Sequence, residues 1–188
     1  MTHLARYDDT APFSLRETSG DFDSIKKMLE RVRITLERWQ ANVPLRPDAS
    51  DLEILAAYAE AIELLKVRGS YRSQDVIRLM PSHPQREELR QKFLAEHVHD
   101  DDEVRFFVEG AGMFYIREKG TAYALECHAG DLIVLPAGTR HWFDTGEYPN
   151  FTAIRLFTTP EGWIARYTGE TIAEAIPAYG GHASGRVV

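Results

Sequence analysis

The sequence predicts a mainly β protein of the α+β class, an antiparallel β-barrel with helices on its N-terminal side. Three observations lead to this prediction. Up to about residue 96, apolar residues recur at helical spacing. From about His97 onward they alternate with period two in short runs that Gly, Asp and Pro separate. The length of 188 residues suits one domain, so we expect a mostly helical portion, residues 1–96, to pack on a barrel formed by residues 97–163.

Two helices are predicted in the N-terminal half. The first covers residues 23–40, with Ser24 as its N-cap. The second follows Ser50, which forms a capping-box pattern with Glu53, and it ends near Gly69. The apolar stripe of the first helix contains Ile25, Met28, Leu29, Val32, Leu36 and Trp39. That of the second contains Leu52, Leu55, Ala59, Ile62 and Leu65.

The barrel itself is predicted from a series of short strands. A strand at residues 76–80 and a third helix, from near Pro84 through Phe93, lead up to it. Six further strands are expected near residues 103–108, 112–118, 121–127, 131–134, 140–144 and 151–158. Strands so closely spaced favour an antiparallel barrel or sandwich. Residues 177–188 have the composition of a loop-like tail.

The charge and cysteine content narrow the range of functions. Acidic residues outnumber basic ones by 29 to 22, giving a net charge of −7, and Lys and Arg do not cluster, so we expect no nucleic-acid partner. Cys127 is the only cysteine, which excludes an intramolecular disulfide and makes the cytoplasm the expected compartment. No run of ~18 apolar residues predicts a membrane span. We expect a monomer.

Four residues have the chemistry and spacing of a metal site. In a strand, residues two apart share a face, so His97 and His99 can converge on one ion. Glu103 follows an acidic turn and can supply a third ligand, and His141 can arrive from another strand. Imidazole with carboxylate suits iron, nickel, manganese or zinc. Taken alone, paired histidines beside an acidic run are more often solvated surface residues.

The spacing around these residues resembles both motifs of the cupin superfamily. The matching patterns are His97-x-His99-x3-Glu103-x6-Gly110 and Gly130-x5-Pro136-x-Gly138-x2-His141. The resemblance implies a small jelly-roll-like β-barrel with a metal ion inside, in agreement with the strand pattern. Thr145 stands where many cupins have Asn, a position that does not bind the metal.

Two arginines are expected to face the interior of the barrel. Arg105 is in phase with Glu103, and Arg155 is in phase with Phe151 and Phe157. A buried guanidinium needs an anion, so either an anionic ligand or a protein carboxylate must pair with each of them. The structural alternative is an ion pair with Glu109, Glu126 or another acidic residue.

Longer segments resemble the acireductone dioxygenase family, from the N-terminal helices through Trp163. They are Glu103-Val-Arg-Phe-Phe-Val-Glu-Gly-Ala-Gly112, His141-Trp-Phe-Asp144, Pro149-Asn-Phe-Thr-Ala-Ile-Arg155 and Pro160-Glu-Gly-Trp163. The resemblance implies that Arg105 and Arg155 are catalytic residues that contact the substrate. It also implies metal ligands at His97, His99, Glu103 and His141, and an aromatic substrate pocket that includes Phe93, Phe143 and Trp163.

The same resemblance implies an activity and a cofactor. The expected enzyme holds one Fe²⁺ or Ni²⁺ per chain and cleaves 1,2-dihydroxy-5-(methylthio)pent-1-en-3-one with dioxygen, in methionine salvage. With iron the family yields formate and 4-methylthio-2-oxobutanoate. With nickel it yields methylthiopropanoate, formate and carbon monoxide.

Two alternative functions stay open at this point. The fold also carries other enzymes, such as sugar-phosphate isomerases or dioxygenases of a different substrate. A phosphate-binding set of lysines would favour an isomerase, but Lys119 stands alone at a turn. The other alternative is a non-enzymatic cupin that binds or senses a ligand. Such modules often lack a metal ligand or add a DNA-binding segment, and the sequence here shows neither feature.

Overall fold

A computed structural model describes residues 1–159 and 164–180 of the chain. Within this part, an 11-stranded antiparallel sheet curls around the core, and short helices lie against it. The strands are β1 (His3–Asp8), β2 (Leu15–Ser19), β3 (Thr35–Arg38), β4 (Ser73–Leu79), β5 (His97–Val98), β6 (Glu103–Glu118), β7 (Thr121–His128), β8 (Asp131–Leu135), β9 (Arg140–Asp144), β10 (Asn150–Phe157) and β11 (Arg166–Tyr167). The helices are α1 (Phe22–Glu30), α2 (Asp51–Ala57), α3 (Ala59–Gly69), α4 (Arg86–Leu94) and α5 (Ile172–Ala175).

Strand β6 is the centre of the sheet and pairs with four other strands. Its first half pairs with β8 and β10, and its second half pairs with β7 and β9. The sheet continues on one side as β11-β5-β9 and on the other as β7-β1-β2, while β4 joins β10 and β3 joins β8. The predicted mainly β fold with flanking helices is confirmed, and so is its antiparallel arrangement.

A bend within β6 joins two strands that the sequence predicted as separate. The break expected between residues 108 and 112 contains Gly110, with a φ of 66°. The register between β6 and β10 shifts beside it, between Thr152 and Ala153. Glycine adopts positive φ without steric cost, so the strand turns here and continues. A single strand therefore leaves the site at Glu103, bends at Gly110 and returns to pair with β9 at His141.

The first predicted helix was too long. It ends at Glu30, and after a turn in which Arg33 has a φ of 63°, residues 35–38 form β3. Of the residues in the predicted stripe, Leu36 lies in β3 and is buried where β3 pairs with β8. The N-cap is Asp21 rather than Ser24, because the Asp21 carboxylate accepts the Ser24 backbone N–H at 2.8 Å.

The second predicted helix is divided in two. The Ser50–Glu53 capping box is present, but α2 ends at Ala57 and α3 begins at Ala59. Tyr58 lies between them with non-helical dihedrals, and its ring packs edge-on against Phe106 at 5.6 Å. This packing anchors the helix pair on the outer face of the sheet.

The N-terminal 96 residues are less helical than expected, because they contribute β1 to β4 to the sheet. No strand was predicted at β1, where Leu4, Ala5 and Tyr7 are buried beside β7. The strand expected at residues 76–80 and the helix expected near Pro84 are present as β4 and α4. Because β4 and α4 form walls of the cavity described below, this half of the chain shapes the site.

Aromatic side chains fill the barrel interior beneath the site. Phe143 lies 4.8 Å from Phe114 and 5.4 Å from Phe151, measured between ring centroids, and Phe107 packs beside them. All four side chains are buried. Close packing of this kind fixes the strands that bear the polar residues above it. No helix in the described part of the chain combines the length and apolar character needed to cross a bilayer.

Candidate metal centre

Three strands bring the four predicted ligand residues together at one end of the barrel. His97 lies on β5 directly opposite His141 on β9. Glu103 begins β6, which pairs with β9, and His99 lies in the turn that connects β5 to β6. The ligand atoms of all four side chains lie within 4.8 Å of one another, and all four residues are buried. The group predicted from sequence spacing is therefore present.

Backbone carbonyls fix the orientation of the three imidazole rings. The Nδ1 atom of His97 lies 2.7 Å from the Ala95 carbonyl oxygen, and that of His141 lies 2.8 Å from the Thr139 oxygen. His99 Nδ1 approaches the Ile164 carbonyl at 3.3 Å. Since a carbonyl only accepts, each Nδ1 carries the proton and each Nε2 of a neutral ring carries a lone pair. Metal-binding histidines are typically held in this way.

The carboxylate of Glu103 occupies the centre of the group. Its Oε2 lies 2.7 Å from Nε2 of His141 and 3.2 Å from Nε2 of His99. A cation bound here would be stabilised by the carboxylate charge and by the imidazole nitrogens around it. The donor set of three imidazoles and one carboxylate fits iron, nickel, manganese or zinc. The geometry thus supports the binding of a single metal ion.

Burial and neighbouring charges prepare the ligands for a metal. Burial, together with the nearby His141, lowers the pKa of His97 to about 4, so its ring is neutral at pH 7. Burial opposes ionisation of Glu103, yet Arg105 and His141 hold the pKa of this carboxyl well below its usual range. Neutral imidazole and ionised carboxylate are the forms that bind metal ions.

Arg105 is buried against the carboxylate of Glu103. The sequence predicted that the two side chains share a face, because they are two residues apart on one strand. Its Nη2 donates to Oε1 of Glu103 at 2.8 Å, leaving Oε2 directed at the histidines. The guanidinium carbon lies 4.4 Å from the Phe143 ring centroid and 4.8 Å from that of Phe114. Cation–π contacts and the ion pair together hold this guanidinium beside the cluster.

Arg155 also lies beside the four predicted ligand residues, on β10 opposite Arg105. Its guanidinium donates to Asp75 from Nε at 2.8 Å and from Nη2 at 2.5 Å. The carboxylate partners of the two arginines are therefore Glu103 and Asp75. The partners considered from the sequence lie elsewhere: Glu109 pairs with Arg78 and Glu126 with His128.

These groups line a cavity of about 400 Å³. Phe93 and Phe143, both predicted for the substrate pocket, form its apolar side, with ring centroids 6.3 Å apart. Trp163, the third aromatic residue of that prediction, lies outside the described residues. The remaining lining residues are Ser73, Gln74, Asp75, Lys92, Phe157, Ala165 and Tyr167. A buried polar end and an apolar wall are typical of a small-molecule site.

Sequence reasoning missed the part of the lining that comes from β4 and β11. Asp75 is next to the predicted strand at residues 76–80, but only the pairing of β4 with β10 shows that it faces Arg155. Tyr167 reaches the cavity because β11 pairs with β5, with Tyr167 opposite His97. No local signal marks either residue, because both positions depend on strand pairing between distant segments.

Cys127, His128 and Thr145 lie away from the centre. Cys127 is buried, and burial raises the pKa of its thiol, as expected for a structural rather than a reactive cysteine. His128 lies near Glu126 and the N-terminal amine, apart from the cavity. Thr145, at the position where many cupins have Asn, is buried and lies 3.3 Å from the Gly146 carbonyl.

Comparison with known proteins gives a consistent result. The model of the ARD/ARD' family matches residues 4–165. An acireductone dioxygenase of Parvibaculum lavamentivorans is 50% identical over 179 residues, covering 95% of this chain and 97% of the relative. One from Aquifex aeolicus is 53% identical over the same length, with the same coverage of both chains.

A solved structure with a metal ion in its active centre has a similar fold. It is an acireductone dioxygenase from Bacillus anthracis with a cadmium ion in its active centre. It is 34% identical, has a TM-score of 0.76, and the match covers 89% of this chain and 98% of that one. Since the family model spans most of the chain and close relatives match almost end to end, this chain belongs to the ARD/ARD' family of acireductone dioxygenases.

Proposed function

We propose that this chain is a metal-dependent dioxygenase that cleaves 1,2-dihydroxy-5-(methylthio)pent-1-en-3-one with dioxygen. The observation that supports this proposal best is the buried group of three histidines and one glutamate beside two inward-facing arginines, in a chain of this family.

His97, His99, Glu103 and His141 would hold one Fe²⁺ or Ni²⁺. The bound ion would supply a Lewis acid that favours the anionic form of the enediol and orients its oxygens. The protein contributes Nε2 lone pairs that are already aimed inward by the carbonyls of Ala95 and Thr139, so little reorganisation is needed when the ion binds.

Arg105 and Arg155 would act as catalytic residues by stabilising the negative charge of the bound enediolate. Arg105 is fixed by Glu103 and by two aromatic rings, and Arg155 is fixed by Asp75. Donors that are oriented before the substrate arrives stabilise developing charge without further cost. Arg105 is buried, so its charge acts more strongly there than it would in solution.

Phe93 and Phe143 would bind the methylthio end of the substrate. Both rings line the cavity, with centroids 6.3 Å apart. The family resemblance adds Trp163 to this aromatic pocket. An apolar wall contributes to affinity by removing the thioether from water, and it also shields the reacting centre.

The experiment that tests this function is product analysis with each metal. Metal-free protein is loaded separately with Fe²⁺ or Ni²⁺, and the substrate and dioxygen are then supplied. We expect formate with 4-methylthio-2-oxobutanoate from the iron form, and formate with methylthiopropanoate and carbon monoxide from the nickel form. Substrate consumption no faster than in metal-free protein, with either metal, would reject the proposal.

The proposed unit of function is the whole chain, acting as a monomeric single domain in the cytoplasm. Support comes from the sheet, to which both halves of the chain contribute strands, and from the site, whose walls come from β4, α4 and the barrel strands. Size-exclusion chromatography with light scattering tests the oligomeric state. A mass near 21.4 kDa is expected, and a stable dimer would contradict this proposal.

A further inference from the structure

We propose that Asp75 is a positioning residue, whose carboxylate orients the Arg155 guanidinium toward the substrate anion. This inference rests on the proposed function and deepens it. Asp75 lines the cavity from β4, a strand of the N-terminal half, and was not among the site residues predicted from the sequence. Its role would be to act through Arg155 rather than to contact the reacting atoms.

A row of charged residues crosses three neighbouring strands at the edge of the cavity. Asp75 on β4 is opposite Arg155 on β10, and Arg155 is opposite Arg105 on β6. Like charges directly opposite each other on antiparallel strands repel. Arg105 has Glu103 to offset that repulsion, and Asp75 provides the corresponding carboxylate for Arg155. The carboxylate is therefore placed where it opposes displacement of Arg155.

The contact with Asp75 fixes the orientation of the Arg155 guanidinium and also balances its charge. Two parallel hydrogen bonds join them, from Nε to Oδ1 at 2.8 Å and from Nη2 to Oδ2 at 2.5 Å. A bidentate pair of this kind sets the plane of the guanidinium, which a single contact does not. The Arg155 guanidinium carbon also lies 5.5 Å from the Phe157 ring centroid, a second restraint on the same group.

The Asp75–Arg155 pair is partly exposed to solvent. We therefore infer that it orients the Arg155 guanidinium and adds little to the stability of the fold. The side chain of Asp75 is 44% exposed and that of Arg155 is 23% exposed. Ion pairs that remain in contact with water contribute little to the free energy of unfolding. Loss of the carboxylate should therefore leave the protein folded and should reveal the effect on Arg155 in isolation.

Positioning and simple charge neutralisation predict different kinetics. If Asp75 only neutralised Arg155, its removal would make the cavity more positive and would improve binding of an anionic substrate. If Asp75 positions Arg155, its removal should lower kcat while KM does not rise. A reacting group misplaced by about 1 Å can lower the rate by about 100-fold.

The same three strands contain a matched control, located away from the cavity. Arg78 on β4 and Glu109 on β6 are both opposite Thr152 on β10, and Glu109 accepts from Arg78 at 3.2 Å and from Thr152 at 2.9 Å. Glu109→Gln also removes a carboxylate that pairs with an arginine. It does so at the level of Thr152, three residues before Arg155 on β10. It should leave kcat per bound metal unchanged.

The experiment compares the metal-loaded wild type with Asp75→Asn, Asp75→Glu and Glu109→Gln. We expect Asp75→Asn to keep the wild-type metal content and to lower kcat per bound metal by about tenfold or more without raising KM. Asp75→Glu restores the carboxylate and should recover kcat to within about threefold of the wild type. In ¹H–¹⁵N spectra of the metal-free protein, the Arg155 Nε–H resonance, assigned with Arg155→Lys, should lose its downfield position only in Asp75→Asn.

Each result decides a different claim. An Asp75→Asn enzyme with wild-type kcat per bound metal, or an unmoved Arg155 resonance, overturns the positioning role while the proposed function stands. An equal loss in Glu109→Gln also overturns it, because the effect would then be a general property of the sheet. A wild type that consumes no dioxygen with the enediol substrate overturns the proposed function, and the positioning role falls with it.

Discussion

Hydrogen bonds from each Nδ1 to a backbone carbonyl give the site its chemistry at the scale of single residues. Because each Nδ1 is engaged in this way, the Nε2 atoms of His141 and His99 are directed at the carboxylate of Glu103, and the ring of His97 lies against both of theirs. Arg105 completes the arrangement by holding the opposite oxygen of Glu103. The ligand set is therefore oriented by the protein before an ion binds.

The His97→Ala variant should lose its metal. Its imidazole is one of four buried ligand groups, and the remaining three cannot replace a nitrogen donor from β5. Elemental analysis of purified protein should show about one ion per chain in the wild type and close to none in the variant. The exposed histidine of β1 provides the control, since His3→Ala should keep the full metal content. Normal occupancy in His97→Ala would contradict the assignment.

The Arg155→Ala variant should retain its metal and lose turnover. Arg155 faces the cavity from β10 but is not part of the ligand group. Removal of one preorganised donor to developing charge typically lowers kcat by about 100-fold or more. Dioxygen uptake per bound metal measures the effect, and Arg78→Ala, which removes an arginine of β4 outside the cavity, is the control. Uptake close to wild type would reject the catalytic role.

The stability of the metal-free protein should fall as the pH drops from about 6.5 to about 4. Burial lowers the pKa of His97 from 6.5 to about 4, so the unfolded chain takes up a proton in this range that the folded chain does not bind. The contribution of the neutral ring is fully present above pH 6.5 and is lost toward pH 4. Between pH 7.5 and 5 we expect a loss of about 2 kcal/mol in the free energy of unfolding, measured with urea. The same loss in His97→Ala would show that other groups are responsible.

At the scale of elements, the course of strand β6 decides where the site lies. Glu103 and Arg105 lie at its start, and the bend at Gly110 returns the rest of the strand across the barrel to pair with β7 and β9. The strand therefore contributes to the cavity and also pairs with β9, which carries His141. A straight strand could not pair with both β10 and β9 in this way.

The Gly110→Ala variant should be markedly destabilised. Gly110 has a φ of 66°, and an added Cβ would lie 1.8 Å from the Asn150 carbonyl oxygen, a backbone atom of β10. The left-handed conformation alone costs about 1 to 2 kcal/mol for alanine, and the contact must add to this. Gly120→Ala is the matched control, with a φ of 77° and no atom within 4 Å of the added Cβ. Equal losses in urea unfolding for the two variants would show that the contact with β10 has no effect.

At the scale of the whole molecule, the site is a product of barrel closure. Its ligands come from β5, β6 and β9 and the turn between the first two, and its walls come from β4, β10, β11 and α4. Buried polar residues at one end of a closed sheet are stabilised when a ligand satisfies them. Metal binding and folding should therefore be coupled.

Removal of the metal should lower the melting temperature of the protein. An ion present at about 1,000 times its Kd stabilises the folded state by about 4 kcal/mol, equivalent to about 10 °C in a chain of this size. Differential scanning calorimetry with and without a chelator measures the difference. The His97→Ala variant should melt at the same temperature in both conditions. An unchanged melting temperature in the wild type would show that the ion does not stabilise the fold.

Much of the site could be predicted from the sequence because its signals are local. The spacing of His97, His99 and Glu103 places three ligands within seven residues, and strand alternation correctly turned Arg105 and Arg155 toward the cavity. The period-two runs after His97 likewise predicted β7 to β10 at nearly their observed bounds, and they predicted β6 as two pieces. These features depend on the alternation of side chains along a strand, which can be seen directly in the local sequence.

Only the tertiary structure decided the features that depend on pairing between distant segments. The apolar residues after Glu30 fit a helical stripe as well as a strand. Hydrogen bonding with β8 is what makes residues 35–38 the strand β3. Strand β1 shows no clear alternation of apolar and polar residues, and its hydrogen bonds with β7 place it in the sheet. Asp75 meets Arg155 across 80 residues of sequence, through the register of β4 with β10. Composition and spacing determine which side chains can bind a metal, whereas long-range hydrogen bonding decides which others surround it.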